Sequence, residues 1–472
     1  MLVGFIVLYI LISISIGLYA ARRVHSAADY VVAGRSLPLY ITVATVFATW
    51  FGSETVLGTS STFIEEGLGG IIADPFGASM CLVLVGLLFA KPLYRMKLLT
   101  IGDFYKRTYG RTVEVLVSLA ICVSYLGWVS AQISALGLVF NVVTHGAIGV
   151  EIGMVIGLGI VLLYSLFGGM WSVALTDFVQ MIMIVVGLIV IAFTISGTAG
   201  GAGVVINHAM ENGKLDFWPE LSAAGILGFI AAWVTMGFGS IPQQDVFQRV
   251  MSAKDEKTAQ RGSIIGGLMY LVFAFIPIFV AYSAFVIDPV SVNAQMQEDS
   301  QLVLQNLILN HTPVFVQVMF FGALLSAIMS TASATLLAPS VTFAENIVRG
   351  TLPHLKDKQV LKLMRGTVVG FAVVVLFVAL NSDLSIFEMV ENAYKVTLAG
   401  AFVPLLAGVY WKKRANTSGA LLSITMGIGI WLICEAVAPE GVLPPQLAGL
   451  VAAFIGMGIG GYFGRQRQHK DN

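Results

Sequence analysis

The sequence predicts an all-α polytopic membrane protein with about thirteen transmembrane helices. Three observations carry this prediction. The 472-residue chain is 57% hydrophobic and only 11% charged, with a mean hydropathy of +0.88, whereas soluble domains carry roughly 25% charged residues. Apolar windows long enough to cross a bilayer recur along it. Its basic residues fall almost wholly in alternate loops.

The first apolar run, 2–21, has no basic residue ahead of it and is followed by Arg22-Arg23. That fits a first transmembrane helix with its N-terminus outside rather than a cleaved signal peptide. Further spans are expected over 37–60, 68–90, 112–142, 148–168, 172–197, 221–243, 262–287, 313–345, 366–381, 384–410, 417–437 and 443–464. The fifth and sixth are separated only by the short break Phe167-Gly-Gly-Met170.

With helix 1 running inward, the inside segments are 22–36, 91–111, 244–261, 346–365, 411–416 and the tail. They hold 24 of the 26 Lys and Arg residues. Lys214 lies in an outside loop and Lys395 within a span, where Glu391 at i, i+4 is a ready partner. The outside loops hold Glu65, Glu66, Glu211, Asp216, Glu220, Asp288, Glu298 and Asp299. This positive-inside pattern predicts N-out and C-in. The 198–220 and 288–312 loops have room for short surface helices, and 1–472 reads as a single transmembrane domain.

Two spans are interrupted. Span 2 contains Ala48-Thr-Trp-Phe-Gly-Ser-Glu54, which puts a carboxylate, an indole and a glycine at membrane depth. A packing face of small residues would explain the Gly and Thr residues alone. Glu54 and Trp50 instead mark a functional site, because ionisable groups in a bilayer are costly. Span 7 carries Met236-Gly-Phe-Gly-Ser-Ile-Pro-Gln-Gln-Asp245. An odd offset of five spans gives the two breaks opposite orientations. That is an inverted repeat, 37–197 against 221–410, with a binding site where unwound helices face each other.

Span 9 places Ser326, Ser330 and Ser333 on one helical face, with Thr331 beside them. A row of hydroxyls suits a hard cation that prefers oxygen. Asp177, in Thr176-Asp-Phe-Val-Gln180, is either a helix-start acid or part of a second cation site or inner gate. Trp50 and Trp128 offer π faces to a cation. Asp74, in Ala73-Asp-Pro-Phe76, is a further intramembrane acid at an expected break. Cys81, Cys122 and Cys434 make no metal or disulfide framework, and no phosphate-binding GxxxxGK[ST] loop is present. The zero net charge gives no sign of a nucleic-acid partner.

These pieces resemble the sodium:solute symporter family, whose members include sodium/proline, sodium/galactose and sodium/choline transporters. The segments that carry the resemblance are Ala48 to Gly58, Phe167-Gly-Gly with Thr176 to Gln180, Asp245-Val-Phe-Gln-Arg249, and Ala327-Ile-Met-Ser-Thr331. The resemblance implies thirteen helices and a LeuT-like core. It also implies a main sodium site built from Ala48, Phe51, Ala327, Ser330 and Thr331. Asp177, Ser330 and Ser333 match a second sodium site of some members, but Ala334 stands where those members carry a hydroxyl. Ala48-Thr-Trp50, Phe89-Ala-Lys-Pro92, Trp128 and Val246-Phe-Gln-Arg249 are most similar to the choline branch, which cages quaternary ammonium with tryptophans. Trp50 and Trp128 match two cage positions; the third is Gln243.

The expected function is therefore Na⁺-driven uptake of a small organic solute across an inner or plasma membrane, with no enzymatic chemistry. An amine such as choline or betaine is the first expectation for the solute, with Trp50, Glu54, Asp74, Trp128 and Gln243 around it. A proline-like amino acid and H⁺ coupling through Asp177 or Glu54 are the alternatives. A transporter-derived sensor would need an attached signalling domain, and only a few polar residues follow position 464.

Overall fold

A bilayer core offers no water to backbone amides, so a spanning chain satisfies them internally, within helices. The computed structural model describes residues 1–352, 354–412 and 415–468. Among them the one strand-like contact is an isolated parallel bridge between Leu37 and Ala253.

The chain opens with α1 (Leu2–Ala20) and a short α2 (Ala27–Val32), started by a Ser26–Asp29 capping box. Helix α3 (Leu39–Trp50) ends at the break. The chain resumes as a π turn over Glu54–Gly58 and runs into α4 (Thr59–Glu66). Gly67, at φ 71, stops α4 where an L side chain would be strained. The chain bends again at Asp74 (φ −132, ψ 121), the break expected from Asp-Pro, and continues as α5 (Ala78–Leu84) and α6 (Ala90–Arg95). Helix α7 (Ile101–Tyr109) leads into α8 (Arg111–Val143) and α9 (Val150–Thr198). Surface helix α10 (Ala202–Glu211) precedes α11 (Ala223–Gly239), which meets α12 (Gln244–Met251) at a 49° bend.

Helix α13 (Glu256–Ile287) is followed by α14 (Pro289–Asp299) and α15 (Val303–His311), in the loop expected to hold short helices. The second half then runs through α16 (Val314–Thr342), α17 (Asp357–Leu380), α18 (Ile386–Thr397), α19 (Val403–Tyr410), α20 (Thr417–Val437) and α21 (Pro445–Gln468).

Among the described residues, ten helical runs are long and apolar enough to cross a membrane, or eleven with the bent α11–α12 pair. Two pairs of expected spans run together. The 42-residue run Glu54–Arg95 joins the second half of span 2 to span 3, and 49-residue α9 joins spans 5 and 6. At ~1.5 Å rise per residue α9 would be about 74 Å long if straight, against a ~30 Å hydrocarbon core. Its helical geometry breaks at Gly169 (φ 48, ψ −137), inside the expected Phe167–Met170 interruption.

Helix α16 is the axis: every residue from Phe320 to Thr342 is buried, and it packs on α8, α9 and α3. Helix α1 exposes Val7, Leu8 and Leu11 on its outer face. Glu391 and Lys395 do not pair; no ion pair joins them among the described residues. Of the expected inside charges, Lys413, Arg414 and residues 469–472 lie outside the described residues.

Candidate functional site

Every residue of α3 from Ile41 to Trp50 is buried, so its hydroxyls and indole need protein partners. Phe51 leaves helical geometry (φ −86, ψ 75) and ends the helix. Two backbone bonds flank the break: Phe51 N–H to the Phe47 carbonyl (3.0 Å) and Val56 N–H to the Gly52 carbonyl (3.3 Å). The Ala48 and Phe51 carbonyls accept no amide across the break among the described residues. Close approach demands glycine at 52. A methyl there would lie 2.4 Å from Glu54 Oε2, 2.8 Å from Thr331 Oγ1 and 3.0 Å from Gln132 Oε1. Thr331 Oγ1 and Ser53 Oγ are buried with no hydrogen-bond partner among the described residues.

An aromatic wall covers the break. Trp50 meets Trp128 edge to face (5.8 Å, 72°) and stacks on Tyr394 (6.0 Å, 22°). Tyr125 stacks on Trp128 (5.8 Å, 16°). Each indole N–H ends on a carboxylate. Trp50 Nε1 donates to Asp245 Oδ2 (3.0 Å), and Trp128 Nε1 donates to Glu54 Oε1 (3.1 Å). Glu54 Oε2 accepts from Gln132 Nε2 (2.7 Å), and the Tyr125 hydroxyl donates to the other oxygen of Asp245. The Tyr394 hydroxyl is buried and unpartnered.

The remaining expected residues sort into three neighbouring places. Gln243 lies just past the second break and donates to Ser124 Oγ (3.0 Å) and Thr397 Oγ1 (3.2 Å). Those partners sit one turn from Trp128 and Tyr394. Asp74 accepts from the Tyr270 hydroxyl, Thr55 Oγ1 (3.2 Å) and Thr59 Oγ1 (3.1 Å), and Tyr270 in turn meets the Trp50 edge. Asp177 lies inside α9, well past the kink and not at a helix start. It accepts from Ser330 Oγ (2.6 Å) and from the Thr45 hydroxyl. Ser333 spends its hydroxyl on the Ser330 carbonyl (3.0 Å), and Ala327 is buried one turn before Thr331. The structure thus joins Asp177 to Ser330 and sets Thr331 against Gly52, while Ser333 bonds within its own helix.

Sequence reasoning missed Asp245, Arg249, Gln132 and the tyrosines as site groups. Arg249 was expected among the inside loop charges. Instead α12 buries it completely, because Val246, Phe247 and Val250 carry the helix into the core. Its Nε donates to Thr49 Oγ1 (2.9 Å) and Nη1 to the Asp245 carbonyl (3.3 Å), while Nη2 has no partner. No carboxylate lies within 4.0 Å of it among the described residues. The available signal was the i, i+4 spacing of Asp245 and Arg249 straight after a glycine-proline break.

Glu54, Asp74, Asp177 and Asp245 are each at most 2% exposed, and among the described residues Arg249 is the one buried guanidinium. The fifth buried acid, Glu114, is paired with Arg111 (2.8 Å). Buried charge without a partner costs several kcal/mol per ion, so this excess of carboxylate is costly to hold ionised.

The model of the sodium:solute symporter family matches residues 30–427. A high-affinity choline transporter of Caenorhabditis elegans is 28% identical over 459 residues, covering 92% of this chain and 77% of the relative. An osmoregulated proline transporter of Bacillus subtilis is 25% identical over 481 residues, covering 95% and 92%. Among solved structures, a substrate-bound, outward-open Na⁺-coupled sialic acid symporter has a TM-score of 0.81 at 18% identity, covering 98% of both chains.

Proposed function

The chain belongs to the sodium:solute symporter family, and on that premise we propose that it imports a small organic solute, an amine or quaternary ammonium compound such as choline or betaine, with Na⁺ as the coupling ion. The observation that carries the choice of solute is the aromatic wall. Two tryptophans pack together over a helix break, and each holds its N–H edge on a different carboxylate. Electron-rich faces backed by negative charge suit a desolvated cation. Trp50, Trp128, Glu54, Asp74 and Gln243 surround the solute, and Asp245 and Tyr394 join them.

Sodium lies between the first break and α16, held by the Ala48, Phe51 and Ala327 carbonyls and by the Ser330 and Thr331 hydroxyls. The free carbonyls at the break and the orphaned Thr331 oxygen support this placing. Asp177, tied to Ser330, and Ser333 form a second cation position. Thirteen spans with N-out and C-in accommodate α9 as two crossings hinged at Gly169, and 37–197 and 221–410 are the inverted repeats. In a plasma or bacterial inner membrane, one charge crossing ~100 mV supplies roughly 2.3 kcal/mol. Na⁺ drives import by favouring the outward-open state and completing the solute site.

A proline-like amino acid is the second reading, favoured by Gln243 at the third cage position and by the bacterial proline relative. A thermal-shift screen of purified protein against amines, betaines, amino acids and sugars, with and without Na⁺, separates the two. Stabilisation by quaternary amines that needs Na⁺ supports the cation reading; stabilisation by proline alone replaces it.

A further inference from the structure

Glu54 faces two different sites with its two carboxylate oxygens. Oε1 accepts the Trp128 indole N–H at 3.1 Å, which fixes one wall of the aromatic cluster. Oε2 accepts from Gln132 Nε2 (2.7 Å) and lies 2.4 Å from the point where a methyl on Gly52 would stand. Thr331 Oγ1 and Gln132 Oε1 lie 2.8 and 3.0 Å from that same point. Three oxygens from three separate helical segments therefore converge on the bare face of Gly52.

The state of each oxygen points to a ligand. Thr331 Oγ1 is fully buried and has no partner, and leaving such a group unsatisfied costs about 1–3 kcal/mol. The Ser53 amide donates to Gln132 Oε1 (3.0 Å), which fixes the oxygen end of that amide toward the break. Glu54 is 2% exposed and makes no ion pair among the described residues. The guanidinium of Arg249 is committed to Thr49 and the Asp245 carbonyl instead. A buried anion, an orphaned hydroxyl and an amide oxygen around one glycine are the donor set of a hard cation.

We propose that Glu54 Oε2 is an anionic ligand of the sodium site, and that Glu54 couples that site to the solute site through Trp128. The proposal rests on the placing of sodium at Thr331. A cation at Oε2 draws the carboxylate toward Gly52 and Thr331. Oε1 moves with it as part of the same rigid group, and so does the indole it holds. Sodium thereby sets the face that Trp128 presents, and the two ligands favour each other reciprocally.

The test titrates purified protein with NaCl at constant ionic strength, KCl replacing NaCl, and follows melting temperature and tryptophan emission. Wild type shows a saturable response in both. Glu54→Gln keeps the chain length and an acceptor for Trp128, and raises the Na⁺ midpoint about tenfold or more, the effect of losing roughly 1.4 kcal/mol. Gly52→Ala puts a methyl at the point of convergence and abolishes the response. In Trp128→Phe the Na⁺-dependent emission change is lost. An unchanged midpoint in Glu54→Gln, with a shifted one in Thr331→Ala, overturns the ligand assignment. An unchanged midpoint in Thr331→Ala overturns the sodium site itself. Emission changes that persist in Trp128→Phe overturn the coupling. If Glu54→Gln does not fold, a normal Na⁺ response in Gly52→Ala overturns the ligand assignment alone.

Discussion

Trp50 Nε1 donates to Asp245 Oδ2 across 3.0 Å, tying the last residue of the first interrupted helix to the opening turn of the second. The pair is 195 positions apart in the chain. This hydrogen bond thus joins the two helix breaks, and it fixes the tilt of the ring proposed to face the solute.

Trp50→Ala is expected to weaken solute binding far more than Na⁺ binding. A desolvated cation–π contact is worth about 2 kcal/mol, so the solute dissociation constant should rise about thirtyfold. Trp50→Phe keeps a face but loses the bond to Asp245, and should fall between the two. Equal loss of Na⁺ and solute binding, measured by calorimetry, would mean that Trp50 only packs.

Ser330→Ala combined with Thr331→Ala is expected to abolish Na⁺-dependent uptake while the protein still inserts. Ser330 is bonded to Asp177, and Thr331 has no hydrogen-bond partner among the described residues, so the double variant strips from α16 both hydroxyls proposed to hold the cation. Uptake assays over a Na⁺ series, with surface labelling for insertion, check it. A retained Na⁺ dependence removes these hydroxyls from the site.

Arg249→Gln is expected to destabilise the protein by about 1.5–3 kcal/mol, the usual worth of hydrogen bonds to a charged group, because its bonds to Thr49 Oγ1 and the Asp245 carbonyl are lost. Asp177 and Asp245 would then keep no buried counter-charge. The melting temperature in detergent should fall, and adding Asp245→Asn should recover part of the loss. A melting temperature unchanged in Arg249→Gln would contradict the role given to the guanidinium.

Gly169→Ala is expected to lower the melting temperature, since φ is +48 and the new methyl would stand 2.4 Å from the Tyr30 carbonyl oxygen. The strain is on the order of 1–3 kcal/mol. Gly366→Ala on α17 is the control, because its methyl meets nothing within 4 Å. Equal behaviour of the two variants would show that the α9 kink does not depend on this glycine.

Much of this architecture was legible because apolar length and glycine breaks are local signals. The interruptions at Gly52, Phe167–Met170 and Asp74-Pro75 fall where the residues placed them, and each polar residue singled out in spans 2 and 9 is buried. The partners were not legible. Glu54 could be seen as costly at membrane depth, but its bonds to Trp128 and Gln132 join residues 74 and 78 positions away. Arg249 was misplaced because a cation beside a hydrophobic span reads as a loop charge unless its burial is known. Gln132, Tyr270 and Tyr394 carry no periodic signal; their importance comes from what they touch.

The most direct measurement of the central claim is initial solute uptake into proteoliposomes, made with radiolabelled choline, betaine and proline under an inward Na⁺ gradient and at equal Na⁺ on both sides. Accumulation of choline or betaine above equilibrium only with the gradient, and its loss in the Ser330→Ala, Thr331→Ala double variant, is the predicted result. Accumulation that ignores Na⁺ and follows a proton gradient instead would contradict it.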